Sequence, residues 1–131
     1  KAQLLKPGKR VLLLGVGPIL SEALAAREEL SLKGIDLAIA SMGSIKPIDT
    51  YFLQKMITSG YNQWISLEEH HKSGGLGSAL LEWLSDSQIR SVHLTRMGMD
   101  DHFVHQLGSQ AYVRESKGLN MKAITELVAS I

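Results

Sequence analysis

"RVLLLGVGPILSEALAAREELSLKGIDLAIASMG", residues 10–43, is the stretch on which the fold turns. Residues 10–17 form a near-continuous apolar run, as expected for a strand covered on both faces. From Pro18 to Lys33 the period changes. Proline is tolerated in a first helical turn, Leu20, Ala23, Leu24 and Leu30 supply one apolar face, and Gly34 stands where helices stop. Residues 36–43 then return to a buried-strand pattern. A strand, a helix and a strand in this order make a parallel pair joined by a crossover.

The same alternation extends outward. "AQLL" (2–5) reads as a short strand closed by the Pro7-Gly8 turn. Only "KPGKR" joins it to the next strand, so no crossover helix intervenes. It either pairs antiparallel through a tight connection or lies elsewhere on the sheet edge. "IKPIDTYFLQKMITSG" (45–60) gives a turn, an Asp49 or Thr50 cap and a helix closed by Gly60. "QWISLEE" (63–69) is a strand, and Leu76, Ala79, Leu80, Trp83 and Leu84 mark a helical face. "SVHLT" (91–95) is the last strand. The remainder is helical, with breaks at Gly108 and Gly118 and a final helix capped by Asn120. The expected fold is α/β, a mostly parallel sheet with helices on both faces.

Composition limits the function. The chain of 131 residues, 44% of them apolar, fits one domain with a real core. Its formal net charge is +1 and its basic residues form no block, so neither nucleic acid nor an acidic membrane surface is indicated. Cysteine is absent, which excludes disulfides and thiolate metal sites and fits a reducing, cytoplasmic setting. No apolar run approaches the ~20 residues that span a bilayer. The chain opens with Lys1 and no signal-like segment, and is expected to be a piece of a longer polypeptide.

"LEEHHKSGGLGSALLEWL" (67–84) holds the densest set of candidate residues. Gly74, Gly75 and Gly77 at a helix start would suit an anion, because backbone amides and the helix dipole point at it. Glu68 and Glu69 oppose that use, since the same dipole stabilises the glutamates themselves. His70 and His71 would point to opposite faces of a strand and do not converge on one ligand. The glycines are expected to let the helix start close to its neighbours.

Other motifs carry less. "GVGPIL" (15–20) sits where a dinucleotide fingerprint would, but Leu20 occupies the third glycine position and no Walker lysine follows. His102 and His105, beside Asp100 and Asp101, fall short of the three or four protein ligands that zinc generally requires. There is no Gly-x-Ser-x-Gly nucleophile elbow. Trp64, Trp83 and the methionines read as packing residues.

The order of three segments resembles the C-terminal domain of the transketolase family of thiamine-diphosphate enzymes. These are residues 15–49, ending in Ile45-Lys46-Pro47-Ile48-Asp49; residues 65–84, with Glu68-Glu69-His70 and Gly74-Gly75-Leu76-Gly77; and residues 97–128, with Gly98 and Gly108. The resemblance covers nearly the whole chain from Lys9. The "EEHH" piece is more similar to transketolases, especially those with halves on separate chains, than to the beta subunits of 2-oxo-acid dehydrogenases. Those carry a glycine soon after the two glutamates, where this chain has His70. Deoxyxylulose-phosphate synthases typically have a histidine-glycine pair late in the domain, which "HQLGS" (105–109) does not reproduce.

The resemblance implies a three-layer α/β/α sandwich of five strands, the first antiparallel to the others. It implies a non-catalytic domain of an enzyme transferring two-carbon ketol units between sugar phosphates. Thiamine diphosphate and a divalent metal ion would then lie between the pyrimidine- and pyrophosphate-binding domains of a homodimeric parent. No catalytic, cofactor-binding or metal residue is assigned to residues 1–131. Glu68, Glu69, His70, His71, Gly74, Gly75 and Gly77 are candidates for a loop or interface contact. The alternatives are the same domain of a deoxyxylulose-phosphate synthase or 2-oxo-acid dehydrogenase beta subunit, or a free-standing regulatory module sensing a nucleotide at "GVGP".

Overall fold

A computed structural model describes residues 1–43, 45–69, 75–99 and 121–131. Five strands form one sheet: β1 (Gln3–Lys6), β2 (Val11–Gly15), β3 (Leu37–Ser41), β4 (Gln63–Glu69) and β5 (His93–Met99), in the order β1-β3-β2-β4-β5. Strands β2 to β5 are parallel and β1 is antiparallel to β3. The helices are α1 (Leu20–Ser31), entered through a short 3-10 turn at Gly17–Ile19, α2 (Thr50–Thr58), α3 (Leu76–Asp86) and α4, residues 121–130.

The continuous apolar run of β2 follows from its place between β3 and β4. Leu13 lies opposite Ile39 on one side and Ile65 on the other. Because side chains alternate faces, Val11 and Leu13 join one core with α1 and α4, and Leu12 and Leu14 join a second with α2 and α3. Burying each such leucine contributes about 1.5–3 kcal/mol. Trp64, fully buried in the second core, keeps its indole N–H paired by donating to the Tyr61 carbonyl at 2.9 Å.

Helices end where glycine was expected. The Ile35 amide donates to the Leu30 carbonyl and the Tyr61 amide to that of Met56, the six-to-one bonds of two Schellman caps. Gly34 and Gly60 hold the left-handed positions, at φ +77° and +98°. The end of α3 has the same bond, Ile89 to Leu84, but Gln88 takes the left-handed place at φ 56°.

The first strand takes the second of its two expected placements, on the sheet edge away from β2 and antiparallel: its partner is β3, so residues 7–10 carry the chain past β3 to the centre. Tyr61 anchors this link: its hydroxyl accepts from the Gly8 amide at 3.2 Å and donates to the Gly8 carbonyl at 3.3 Å. Two boundaries, at α1 and at β5, differ from expectation. Pro18 belongs to the 3-10 turn rather than to α1 itself. The last strand begins at His93 and runs to Met99, because pairing with β4 from Gln63 to Glu69 carries it through Arg96 and Gly98. The expected helical segment around Gly108 and Gly118, with its Asn120 cap, lies outside the described residues.

Candidate functional site

The crossover from β2 through α1 leads to β3 on one side, whereas β4 continues through α3 to β5 on the other. With α1 and α3 on opposite faces, the chain diverges at the carboxyl ends of β2 and β4, the switch point at which open α/β sheets place ligands. A cleft of about 240 Å³ lies there. Val16, Pro18, Ile45, Leu67 and Leu76 make its apolar walls, and Glu68 and Glu69 its acidic side.

Glu68 is more than rim. Its Oε1 accepts from the backbone amides of Leu76 at 3.0 Å and Gly75 at 3.4 Å, and its Oε2 from the Gly77 amide at 3.0 Å. The residue at the α3 N-cap is Gly75, which has no side chain to cap with. A carboxylate from the preceding strand therefore satisfies the first-turn amides and faces the positive end of the helix dipole. Gly77 makes this possible: a Cβ there would stand 3.0 Å from Glu68 Oε2, 3.1 Å from Ser66 Oγ and 2.5 Å from Arg96 Nε. At Gly75 a Cβ would meet the Ile45 side chain at 3.3–3.4 Å, a milder contact. The crowded glycine is Gly77.

Ser66 and Arg96 complete the cluster and were not singled out from the sequence. They lie opposite each other in the β4–β5 register. Ser66 is fully buried, and its hydroxyl has no hydrogen-bond partner among the described residues. Arg96 donates from Nη2 to Ser78 Oγ at 3.1 Å. The signal for Ser66 was available, since strand alternation puts Trp64, Ser66 and Glu68 on the α3 face. Arg96 lay beyond the expected strand end.

The remaining candidates are separated by the fold. Glu69 ends β4 beside Glu68. His70, His71 and Gly74 lie outside the described residues, as do Asp100, Asp101, His102 and His105. At "GVGPIL" the side chain of Leu20 packs onto Gly15, with its Cδ2 2.8 Å from where a Cβ would be. The residue in the third-glycine position thus fills the space a dinucleotide fingerprint keeps open. Asp49, at the other end of the resemblance motif, caps α2 by accepting from the Phe52 amide at 3.1 Å. It also accepts from the Ala2 amide at 3.3 Å, tying the approach to β1 onto α2. The Phe52 bond, above all, holds its carboxyl below the usual value. Among the described residues no group of three or more His, Asp or Glu could hold a metal ion, and no helix is long and apolar enough to cross a membrane.

Comparison with known families settles what this sheet and its ordered motifs indicate. The profile of the transketolase C-terminal domain matches residues 1–124. The chain belongs to that family. This transketolase C-terminal domain is 32% identical over 126 residues to a 1-deoxy-D-xylulose-5-phosphate synthase of Halothermothrix orenii, covering 96% of this chain and 20% of that protein. A 1-deoxy-D-xylulose-5-phosphate synthase 1 of Geobacter metallireducens is 35% identical over 129 residues, covering 98% of this chain and 20% of the relative. The chain thus spans about one fifth of the length of these curated relatives.

Among solved structures, an inactive beta4 tetramer of a split-gene transketolase superposes with a TM-score of 0.77 at 29% identity, covering 99% of this chain and 41% of that one. A transketolase from Pichia stipitis, at 14% identity, superposes with a TM-score of 0.53 over 98% of this chain and 17% of its own, and supports the fold alone. The five-stranded sheet with its antiparallel first strand is the transketolase-like α/β fold.

Proposed function

We propose that this chain serves domain packing and dimer assembly in a cytoplasmic, thiamine-diphosphate-dependent enzyme of carbohydrate metabolism, and takes no part in the chemistry. In this reading residues 1–131 are one domain of a longer or split protein, flanked in space by pyrimidine- and pyrophosphate-binding domains. The parent transfers two-carbon ketol units between sugar phosphates. The observation that carries the reading is the match to the family profile over residues 1–124, together with the use of the α3 N-terminus. That terminus, which could have taken a diphosphate, is occupied by Glu68.

In this reading cofactor chemistry belongs to other parts of the parent, where thiamine diphosphate would supply the thiazolium carbanion. The cleft wall, the end of β4 and the start of α3 would face a neighbouring domain or subunit, with Glu68, Glu69, Gly75 and Gly77 at that contact; His70, His71 and Gly74 are proposed as further residues of the same loop.

A second reading, a deoxyxylulose-phosphate synthase, is favoured by the curated relatives at 32–35% identity. One assay separates the two. The complete protein, or this chain with its companion chain, is supplied with thiamine diphosphate and magnesium, then tested for ketol transfer and for 1-deoxy-D-xylulose-5-phosphate formation. Ketol transfer supports the first reading and 1-deoxy-D-xylulose-5-phosphate the second. Micromolar binding of thiamine diphosphate by the 131-residue chain alone, measured by calorimetry, would overturn the non-catalytic role.

A further inference from the structure

We propose that Glu68 is a built-in anion that occupies a phosphate cradle in its own chain and so closes the switch-point cleft to phosphorylated ligands. Consecutive backbone amides at a helix N-terminus hold the carboxylate, and an arginine and a hydroxyl that do not bond it stand beside the same turn; these are the groups that phosphate sites use. Here the amides are those of Gly75, Leu76 and Gly77, all bonded to the Glu68 carboxylate. The arginine is Arg96, whose Nε lies 2.5 Å from the Cβ position of Gly77.

Ser66 is the independent observation. Its hydroxyl, fully buried and without a partner among the described residues, lies 3.1 Å from that same point. A buried hydroxyl left unpaired costs free energy, so a cluster shaped only to hold Glu68 would not need it. The cluster has more donors than one carboxylate uses.

The carboxylate holds the cradle because it is tethered. It comes from β4, whose backbone is locked to β2 and β5 on its two sides, so its effective concentration at the α3 terminus exceeds that of a free anion. A phosphate entering the cleft would have to displace it or sit beside it against like-charge repulsion. Sugar phosphates, nucleotides and diphosphates are excluded by the same group that caps the helix. The inference deepens the non-catalytic reading of this terminus, but its failure would leave the family match over residues 1–124 untouched.

Inorganic phosphate is the probe. The uniformly 15N-labelled chain is titrated with phosphate at neutral pH and constant ionic strength, with chloride as the balancing ion, while the amides of Leu76 and Gly77 are followed. The wild type is expected to show no saturable shift. Glu68→Ala should show saturable shifts at both amides, with an affinity at least about tenfold above any wild-type response. Replacing Arg96 with methionine in that background should weaken it again. Glu68→Gln keeps an acceptor but loses the charge, and should respond to phosphate more weakly than Glu68→Ala. If Glu68→Ala does not fold, the glutamine variant decides: a saturable response supports the proposal and none overturns it. Saturable shifts in the wild type, or their absence in folded Glu68→Ala, would also overturn it.

Discussion

Glu68 and Gly77 are bonded across the turn between β4 and α3: Oε2 accepts the Gly77 amide at 3.0 Å, and a Cβ on Gly77 would stand 3.0 Å from that same oxygen. The cap and the glycine are therefore one device. Neither residue can change without disturbing the other.

Replacing Gly77 with alanine should destabilise the chain by about 1–2 kcal/mol, although alanine is intrinsically the better helix former by about 1 kcal/mol. The added carbon would press on Glu68, Ser66 and Arg96 together. Gly75→Ala should cost less, because only the Ile45 side chain must give way. Urea midpoints of the two variants test the order. A larger loss at Gly75 would mean that the crowding at Gly77 relaxes freely.

Glu68→Ala should lower stability by about 1–2 kcal/mol, the cost of removing a side chain that caps a helix. Glu68→Gln should recover part of that loss by keeping an acceptor. Hydrogen exchange at Leu76 and Gly77 should accelerate in the alanine variant ahead of the rest of α3. Unchanged protection at these amides would show that another group takes over the cap.

Asp49 provides a pH-dependent contribution. The Phe52 amide bond, above all, holds its folded-state carboxyl below the ordinary aspartate value. A carboxyl depressed in the folded state adds stability that is complete above the unfolded value and is lost as pH falls through the folded one. Wild type should therefore melt above Asp49→Ala at neutral pH, and the gap should shrink as pH falls below the ordinary carboxylate range. Melting curves across that range measure it. A gap that widened with acid would contradict the assignment.

Gln88→Gly should stabilise the chain by up to about 1 kcal/mol. Gln88 holds φ 56° at the end of α3, a conformation that costs an ordinary L-residue about 1–2 kcal/mol and glycine almost nothing. The larger entropy of glycine in the unfolded chain offsets part of the gain. Thermal melts should show the increase, and a decrease would point to a stabilising contact made by the glutamine side chain.

Local periodicity was enough for much of this fold. The apolar run of β2, the face of α1, the bounds of β4 and the glycine stops at Gly34 and Gly60 depend on neighbours a few residues away. Side-chain direction and backbone dihedrals are set at that range. The Asp49 cap was legible for the same reason, since its acceptor meets an amide three residues on.

Tertiary structure decided the rest. Whether β1 pairs with β2 or β3 depends on which edge remains open after the crossovers form, and no local pattern carries that. Strand β5 extends to Met99 because β4 offers bonding partners through Glu69, overriding the poor strand propensity of Gly98. Alternation separates Glu68 from Glu69 by face, but does not say which helix that face meets. Strand alternation turned Glu68 toward α3, and the close approach of Gly77 gave its carboxylate the amides of the first turn. Ser66 and Arg96 joined that cluster through a register between strands 30 residues apart, Ser66 against Arg96. The sequence determined the elements and their faces because those follow from steric rules between near neighbours. The site depended on which distant elements packed together, and that is a property of the whole folded chain.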